Sequence, residues 1–367
     1  MSVNIIMKHL IWTVILFAAP SISAYCQKVD TLVDVGGYKL HFTLIKGKGT
    51  PILFEAGGGN DGTVWNGIVK SIADVTNSPI IMYDRRGLGK SSKDSINIGI
   101  ENEIKGLRNG LKKLGFHKNI MLVSHSLGGF YNTLYATQHP TEVQAVVFID
   151  VNLPCFFTEE HLLKMGASEN FRNMVDMAQR NPLPVSIPVI DIVSEKTLFE
   201  GTPDADRWKN CHSDFVSGSP KRRGLTAFET GHYIFFSNRQ LVINAIVAQY
   251  ANYVMPAKKT EILERGYAQE LFAAIDDRRS LIKYWHSEDD LNEWAYSLLS
   301  QKQEQKALEV FKLNVLLHPE SSNAFDSLGE IYLKIGNKEL AVQNYKKSLE
   351  LNPKNENAKK VLEQLLK

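Results

Sequence analysis

Residues 122–129, with the sequence Leu-Val-Ser-His-Ser-Leu-Gly-Gly, have the residue types and spacing of a nucleophilic serine turn. The apolar run 119–123 indicates a buried strand, and a helical pattern begins at Leu127. Ser126 lies on the sharp turn between them, with Ser124 two residues before it and Gly128 two residues after it. Small residues are needed there because backbones pass close to a strained turn. The pattern predicts Ser126 as a nucleophile exposed above a sheet, although serine replaces the first glycine of the usual G-x-S-x-G motif.

The elements that must position this turn alternate between apolar strands and amphipathic helices. The strand runs are continuously apolar, which is typical of a mostly parallel sheet covered on both faces. The segment 152–186 interrupts the alternation after the sixth strand with two short helical pieces. We predict a hairpin over 29–46, strands at 51–56, 79–83, 119–123, 143–149, 187–193 and 225–229, and helices at 68–73, 100–114, 127–139 and 239–255.

Residues 29–255 resemble the α/β-hydrolase fold family in motif and in order. The matching features are a glycine loop at 57–59 after an early strand, a Tyr-Asp-Arg-Arg-Gly-x-Gly turn at 83–89, the serine turn, a cap insertion at 152–186 and a late Gly-His pair. The resemblance implies that Ser126 is the nucleophile and His232 the general base. It also implies that the backbone N–H groups of Gly58 and Leu127 form the oxyanion hole. Ala56 stands where many members have histidine before the first glycine.

The acid of the expected catalytic triad is left open between two carboxylates. In most members it follows the strand predicted here at 187–193, but that position falls near Thr197, which cannot be ionised. Asp150 ends the preceding predicted strand, where some branches of the family place their acid, and Glu195 lies in the expected loop about two residues early. We favour Asp150, with Glu195 as the alternative. Asp150 is also consistent with a purely structural strand-end cap.

A serine nucleophile indicates acyl transfer to water, because epoxide hydrolases and dehalogenases of this family need a carboxylate there. The expected substrate is a small acyl compound, and we expect no cofactor and no metal. Hydrolysis of a carboxylic ester is the leading interpretation. An aminopeptidase-like amide hydrolase is the alternative, and an acidic cap residue such as Glu159 or Glu160 would favour it by holding an amino group. The Phe and Met side chains of the cap fit either an apolar substrate group or the seating of the cap itself.

Five other side chains near these motifs have both a structural and a functional interpretation. We expect His125 to pack rather than react, since its side chain should point away from the nucleophile. Arg85 and Arg86 fit a structural turn or the binding of an acidic substrate group. Trp208 and His212 fit either packing or the lining of a pocket.

The last third of the chain carries a repeat with a period of 34 residues. Ala307, Phe311 and Pro319 recur as Ala341, Tyr345 and Pro353. This spacing resembles the tetratricopeptide repeat, in which small residues of one helix accept large residues of the next. We predict a helical linker at 256–287 and, over 288–367, two repeats followed by a capping helix. Two repeats are fewer than the roughly three that stand alone.

The repeat segment is therefore expected to dock on the hydrolase domain or on another chain. It fits either a stabilising tail or a surface for a protein or peptide partner. A binding or scaffold protein that uses these repeats on a degenerate hydrolase fold is the competing hypothesis for the whole chain.

Residues 1–26 have the layout of a secretory signal peptide, with Lys8 and His9 before an apolar run at 10–19 and small and polar residues after it. The run is too short to span a bilayer. We therefore expect a secreted or periplasmic protein without a membrane span after signal removal. Acylation at Cys26, which would make a lipoprotein, is the less favoured alternative because Tyr25 precedes it.

Charge and cysteine content restrict the partners and the compartment. A formal net charge of +2 over 367 residues gives no basic surface for nucleic acid. Cys155 and Cys211 remain after signal removal, and export permits a disulfide between them, although two separate buried thiols fit the sequence equally well. Their spacing gives no metal site.

Overall fold

A computed structural model describes residues 28–93, 98–263, 265–266 and 287–366. The predicted signal segment 1–26 and most of the predicted linker, residues 267–286, lie outside this part of the chain. Within the described residues, none of the helices combines the length and the apolar character needed to cross a membrane.

Eight strands of the described chain form one sheet in the order β1-β2-β4-β3-β5-β6-β7-β8. β2 pairs antiparallel with both β1 and β4, and the remaining neighbours are parallel. The central strands β3, β4 and β5 are buried along their whole length, which explains why they appear in the sequence as continuous apolar runs. The strands are β1 Lys28–Asp34, β2 Lys39–Ile45, β3 Ile52–Glu55, β4 Ile80–Asp84, β5 Ile120–His125, β6 Val143–Ile149, β7 Val189–Ser194 and β8 Arg222–Ala227.

Helices cover both faces of this sheet. On one face the core contains Leu107 and Phe130, and on the other it contains Ile72 and Ile246. The helices of this region are α1 Val69–Thr76, α2 Gly99–Lys113, α3 Gly128–Gln138, α4 Glu159–Lys164, α5 Glu169–Arg180, α6 Pro203–Ser217, α7 Ile234–Ser237 and α8 Arg239–Gln249. A π-helix Tyr250–Val254 follows α8, and residues 259–263 and 265–266 are helical.

The cap consists of a 3-10 turn Pro154–Phe156 followed by α4 and α5, so the two helical pieces predicted for the insertion are present. Ser168 caps α5 by accepting the N–H of Phe171, which explains where the second piece begins. A disulfide joins Cys155 of the 3-10 turn to Cys211 of α6, with a Cα–Cα distance of 5.8 Å. The cap is therefore tied covalently to α6.

Two elements depart from the sequence-based expectation. β8 begins at Arg222 rather than 225, because this edge strand starts with two charged residues instead of an apolar run. α6 was not predicted, since its buried side chains, Trp208, Cys211 and His212, occupy only a narrow stripe of a mostly polar helix.

The carboxyl-terminal region is a series of antiparallel helices. Its core contains Leu291, Phe311 and Leu362. A Cβ added at Gly329 would lie 3.1 Å from the ring of Tyr345, which is the small-to-large packing that the repeat requires. The helices are α9 Glu288–Ser300, α10 Glu304–Leu317, α11 Ser322–Lys334, α12 Lys338–Leu351 and α13 Glu356–Leu365.

Candidate active site

Ser126 occupies the turn between β5 and α3 in the left-handed backbone region, with a φ of 52°. A residue with a side chain is strained there. Its carbonyl accepts the N–H groups of Gly129 at 3.0 Å and Asn152 at 2.9 Å, which hold the turn. A Cβ added at Gly128 would lie 2.8 Å from the carbonyl oxygen of Ala56, so glycine is required there. The strained strand-turn-helix geometry that the sequence predicts at Ser126 is present.

A short hydrogen bond joins the imidazole of His232 to the carboxylate of Asp150. His232 Nδ1 lies 2.7 Å from Asp150 Oδ2, and both residues are buried. Asp150 follows the carboxyl end of β6, and His232 follows β8, 82 residues later in the chain. Of the two carboxylates that the sequence left open, Asp150 is the one that contacts His232.

Glu195 has a different partner. Its Oε2 accepts the backbone N–H of Glu229 at 2.7 Å, so it braces the loop that follows β8. Thr197, at the place where most relatives would have the acid, is buried and accepts the N–H of Phe199 at 3.2 Å through Oγ1. Both residues support the geometry of neighbouring loops.

The Asp150 carboxylate accepts hydrogen bonds from three further donors. Ser194 gives its backbone N–H to Oδ1 at 3.1 Å and its hydroxyl to Oδ2 at 2.9 Å, and the Trp208 indole N–H reaches Oδ1 at 3.2 Å. Burial by itself would raise the pKa of Asp150, but the hydrogen bond and charge of His232 and the N–H of Ser194 hold the pKa below its usual value. The carboxylate therefore stays ionised at neutral pH although it is fully buried.

His125 contacts both the ring and the backbone of His232. The two imidazole rings are in contact with centroids 4.4 Å apart, and His125 Nε2 lies 3.0 Å from the backbone carbonyl oxygen of His232. A carbonyl can only accept, so His125 must carry its proton on Nε2. Burial and the nearby His232 lower the pKa of His125 to about 3, so the ring is neutral. As expected, His125 packs, and it also fixes the backbone of His232.

The glycine loop passes directly over the serine turn. A Cβ added at Gly57 would lie 3.2 Å from Ser126 Cβ, and one added at Gly58 would lie 3.7 Å from Leu127 Cδ2. In the part of the chain that the structure describes, no acceptor pairs with the backbone N–H of Gly58 or of Leu127. These two donors are therefore available to a ligand beside Ser126.

The nucleophile and its expected base are not joined by a hydrogen bond in this structure. Among the residues described, the Ser126 hydroxyl makes no hydrogen bond to the His232 ring. The ring nevertheless lies against His125, the residue immediately before Ser126. Catalytic hydrogen bonds are often long before substrate binds and tighten in the enzyme–substrate complex.

The aromatic side chains of the cap are core residues. Phe156 and Phe157 are buried and meet edge to face with centroids 5.0 Å apart, and Phe156 also contacts Phe199 and Trp208. Of the two interpretations of the cap's Phe content, these contacts support the seating of the cap. Glu159 pairs with Arg172 at 2.6 Å on the exposed side of the cap, with its side chain 72% exposed.

Two buried aromatic side chains of α6 lie side by side, and one of them contacts the candidate acid. Trp208 and His212 are four residues apart, so they lie on one face of the helix, and their rings are 5.0 Å apart. Trp208 contacts Asp150, whereas His212 Nδ1 pairs with Asp191 Oδ2 at 2.7 Å. Trp208 is thus a member of the site that sequence reasoning assigned only to packing or lining. The helical spacing of Trp208, Cys211 and His212 could have signalled a common face.

The Asp-Arg-Arg turn after β4 is held by buried polar contacts. Asp84 accepts the backbone N–H of Gly62 at 2.9 Å and pairs with His41 at 2.9 Å. Arg86 lies over the Tyr38 ring, 4.8 Å from its centroid, and Arg85 points into the protein and is 6% exposed. No group of three or more His, Cys, Asp or Glu residues in the described chain is arranged to hold a metal ion.

Two segments match known family profiles. Residues 50–183 match the profile described as the alpha/beta hydrolase fold, and residues 322–355 match the tetratricopeptide repeat. The first match covers the glycine loop, the serine turn, Asp150 and most of the cap. The second covers α11 and α12.

Individual relatives match part of the chain. The protein YqjL of Bacillus subtilis strain 168 is 27% identical over 238 residues, which is 61% of this chain and 92% of YqjL. The 2-hydroxy-6-oxo-6-(2'-aminophenyl)hexa-2,4-dienoic acid hydrolase of Metapseudomonas resinovorans is 29% identical over 131 residues, or 35% of this chain and 43% of that enzyme.

A solved structure, an esterase from Thermogutta terrifontis, is 18% identical, with a TM-score of 0.44, over 60% of this chain and 96% of the esterase. The hydrolase profile and the named hydrolase relative support hydrolase activity. The resemblance drawn from the sequence is confirmed: the chain carries an α/β-hydrolase fold, followed by a helical region with a tetratricopeptide repeat.

Proposed function

We propose that this chain is an exported serine hydrolase that cleaves an ester or a similar acyl bond of a small-molecule substrate through an acyl-enzyme. The observation that carries the proposal is the buried 2.7 Å hydrogen bond between His232 and Asp150, located beside the strained turn at Ser126. A histidine oriented by a carboxylate and adjacent to a strained serine is the arrangement that serine acyl transfer requires.

The hydrogen bonds of His232 support its Nε2 as the base. The Asp150 carboxylate is ionised and can only accept, so His232 must carry its resting proton on Nδ1. Its Nε2 then has a free lone pair. As Ser126 Oγ forms a bond to the substrate carbonyl carbon, Nε2 takes the hydroxyl proton, and Asp150 stabilises the resulting imidazolium.

The carbonyl oxygen becomes negatively charged as the tetrahedral intermediate forms. The backbone N–H groups of Gly58 and Leu127 flank Ser126 and would donate to that oxygen. When the intermediate collapses, the bond to the leaving alcohol breaks, and the alcohol takes the proton from His232 Nε2. Water then attacks the acyl carbon and gives a proton to His232 Nε2. The ester bond to Ser126 breaks, Nε2 returns the proton to Ser126 Oγ, and the acid is released.

Export is part of the proposal. It rests on the signal-like segment at 1–26 and on the disulfide between Cys155 and Cys211, because disulfides persist mainly outside the reducing cytosol. A periplasmic or secreted location is proposed, in preference to a lipid anchor at Cys26.

The helical tail is proposed to dock on the hydrolase region. Arg223 Nη2 lies 3.8 Å from Asp290 Oδ2, and Leu263 packs against the core clusters of both regions. Residues 288–367 would then stabilise the enzyme and could present one surface to a protein or peptide.

The test compares the full chain with Ser126→Ala, using hydrolysis of short p-nitrophenyl esters and labelling by a fluorophosphonate. We expect the substitution to lower kcat/KM by more than about 10³-fold and to abolish labelling, because removal of a triad serine has effects of at least that size. Ser124→Ala is the matched control: Ser124 is two residues away and buried, with no hydrogen-bond partner for its hydroxyl among the described residues. Equal turnover by wild type and Ser126→Ala would refute the proposed function.

A further inference from the structure

The buried side chain of Arg85 hydrogen-bonds to the backbone of the glycine loop. Arg85 Nη1 donates to the carbonyl oxygen of Ala56 at 2.6 Å, and Nη2 donates to the carbonyl oxygen of Gly57. The same guanidinium pairs with Glu55 Oε1 at 2.7 Å through Nη1. Arg85 is 6% exposed, so it does not reach the surface to bind an acidic substrate group.

The carbonyl of Gly57 and the N–H of Gly58 belong to one peptide group. That group is planar and trans, so its C=O and N–H bonds point in opposite directions. Because the Gly57 carbonyl is turned toward Arg85, the Gly58 N–H is turned away from Arg85. The serine turn packs against this loop, since a Cβ added at Gly57 would lie 3.2 Å from Ser126 Cβ and one added at Gly58 would lie 3.7 Å from Leu127 Cδ2. We infer that the Gly58 N–H is directed toward the serine turn.

Within the loop the Gly57 carbonyl accepts the backbone N–H of Asn60 at 3.3 Å, and Arg85 adds a second constraint from outside the loop. Residues 57–59 are three consecutive glycines, which have no side chains to restrict their backbone angles, and Gly59 has a φ of 73°. A peptide between two glycines can rotate at little cost unless something holds it. The two carbonyl contacts from one planar guanidinium fix two successive peptide groups at once.

We propose that Arg85 is a positioning residue for the oxyanion hole: it holds the Gly57–Gly58 peptide so that the Gly58 N–H points at the oxygen that becomes charged. This inference rests on the proposed serine hydrolase function and deepens it. Arg85 acts through the backbone and does not touch the substrate.

The surroundings of Arg85 are built to keep it in place. Glu55 is fully buried between Arg85 and the hydroxyl of Tyr83, and the guanidinium also lies 4.9 Å from the centre of the Tyr131 ring. Burial raises the pKa of Glu55 to about 7, although Arg85 and Tyr83 work against the increase. A buried ion pair adds little net stability compared with apolar residues of the same size, so stability alone does not account for these charges.

The experiment uses two variants of the full chain. Arg85→Lys keeps the charge, but one ammonium group lacks the fork that holds two carbonyls and a carboxylate together. Glu55→Gln combined with Arg85→Met removes both charges, so that no unpaired charge is left in the core. Arg86→Lys is the matched control, since it is the same substitution one residue away and Arg86 lies over the Tyr38 ring instead of the glycine loop.

Each protein is assayed for kcat and KM with a short ester, and for inhibition by a trifluoromethyl ketone that forms a charged tetrahedral adduct with the serine. Deleting one oxyanion donor lowers the rate roughly 10²–10³-fold. In the Arg85 variants the Gly58 N–H is still present but no longer held in place, so we expect a smaller loss, about 10–100-fold in kcat. The ketone should lose affinity by a similar factor. KM should change little, because the lost contact forms only in the transition state.

The outcomes separate this inference from the proposed function. A wild-type chain that neither hydrolyses esters nor binds the ketone removes the proposed function itself. If the wild type is active and the folded Arg85 variants keep its kcat and its affinity for the ketone, only the positioning role is overturned. A loss that appears only in KM would assign Arg85 to substrate binding, and unfolding of both variants by circular dichroism would assign it to stability; either result overturns the positioning role.

Discussion

Replacing Asp150 with asparagine should remove most of the proposed activity, because of how the carboxylate is hydrogen-bonded. Two of its donors, the Ser194 N–H and the Trp208 indole N–H, both reach Oδ1 and cannot act as acceptors. The other two, His232 Nδ1 and the Ser194 hydroxyl, reach Oδ2 and can either donate or accept. An asparagine will therefore place its oxygen at the Oδ1 position and its NH₂ group at the Oδ2 position.

That orientation inverts the tautomer of the base. The asparagine NH₂ donates to His232 Nδ1, so the imidazole proton must move to Nε2. A protonated Nε2 cannot take the hydroxyl proton of Ser126, and the carboxylate charge that would stabilise the imidazolium is also gone. In serine proteases the corresponding change lowers kcat about 10⁴-fold, and we expect a loss of roughly 10³–10⁴-fold here.

The assay is kcat for a short ester at pH 7, together with the free energy of unfolding in urea. Asparagine can keep all four hydrogen bonds, so the free energy of unfolding should fall by only roughly 1–2 kcal/mol. Glu195→Gln is the matched control, since Glu195 contacts the N–H of Glu229 rather than the imidazole. A full-rate Asp150→Asn enzyme beside an impaired Glu195→Gln enzyme would refute the reasoning and assign the acid to Glu195.

Two further predictions concern α6. Trp208→Phe keeps the ring but removes the indole N–H from the acid, so kcat should fall roughly 3–10-fold for the loss of one hydrogen bond to a charged group, with KM nearly unchanged; an unchanged kcat would show that the indole does not hold the acid. Burial opposes the charged form of His212, but Asp191 outweighs it and raises the pKa of His212. The ion pair therefore stabilises the fold fully below the free imidazole pKa of about 6.5, and this contribution is lost as pH rises through the raised pKa. The difference in Tm between wild type and His212→Asn should accordingly shrink from pH 6 to pH 9, and a difference that grows would contradict the assignment.

The parts of the fold that could be predicted are those with local signals. Buried parallel strands appear as apolar runs, and the serine turn is visible because strain restricts which residues fit around Ser126. β8 and α6 gave weaker signals. An edge strand that begins at Arg222 and a helix with a narrow buried stripe do not show the hydrophobic period that identifies such elements.

The partner of His232 could not be decided from the sequence, because it depends on where a loop 82 residues away folds back. Asp150 and Glu195 both follow parallel strands, so both lie at the same edge of the sheet. The choice between them is made by contacts that no local pattern encodes. His125 holds the backbone of His232, and the N–H of Glu229 occupies Glu195.

The glycine loop and the arginine turn show the same difference between local and non-local information. Taken alone, residues 57–59 indicate a flexible loop, and Arg85 indicates a structural turn residue. They follow separate strands, β3 and β4, which are parallel neighbours in the sheet and so bring both segments to one edge. The glycine loop and Arg85 each have an ordinary structural explanation when taken alone. Together they give a rigid backbone N–H donor, because Arg85 restrains a peptide group that glycines leave flexible. A sequence pattern can therefore identify the group that reacts, whereas the groups that orient it depend on strand order.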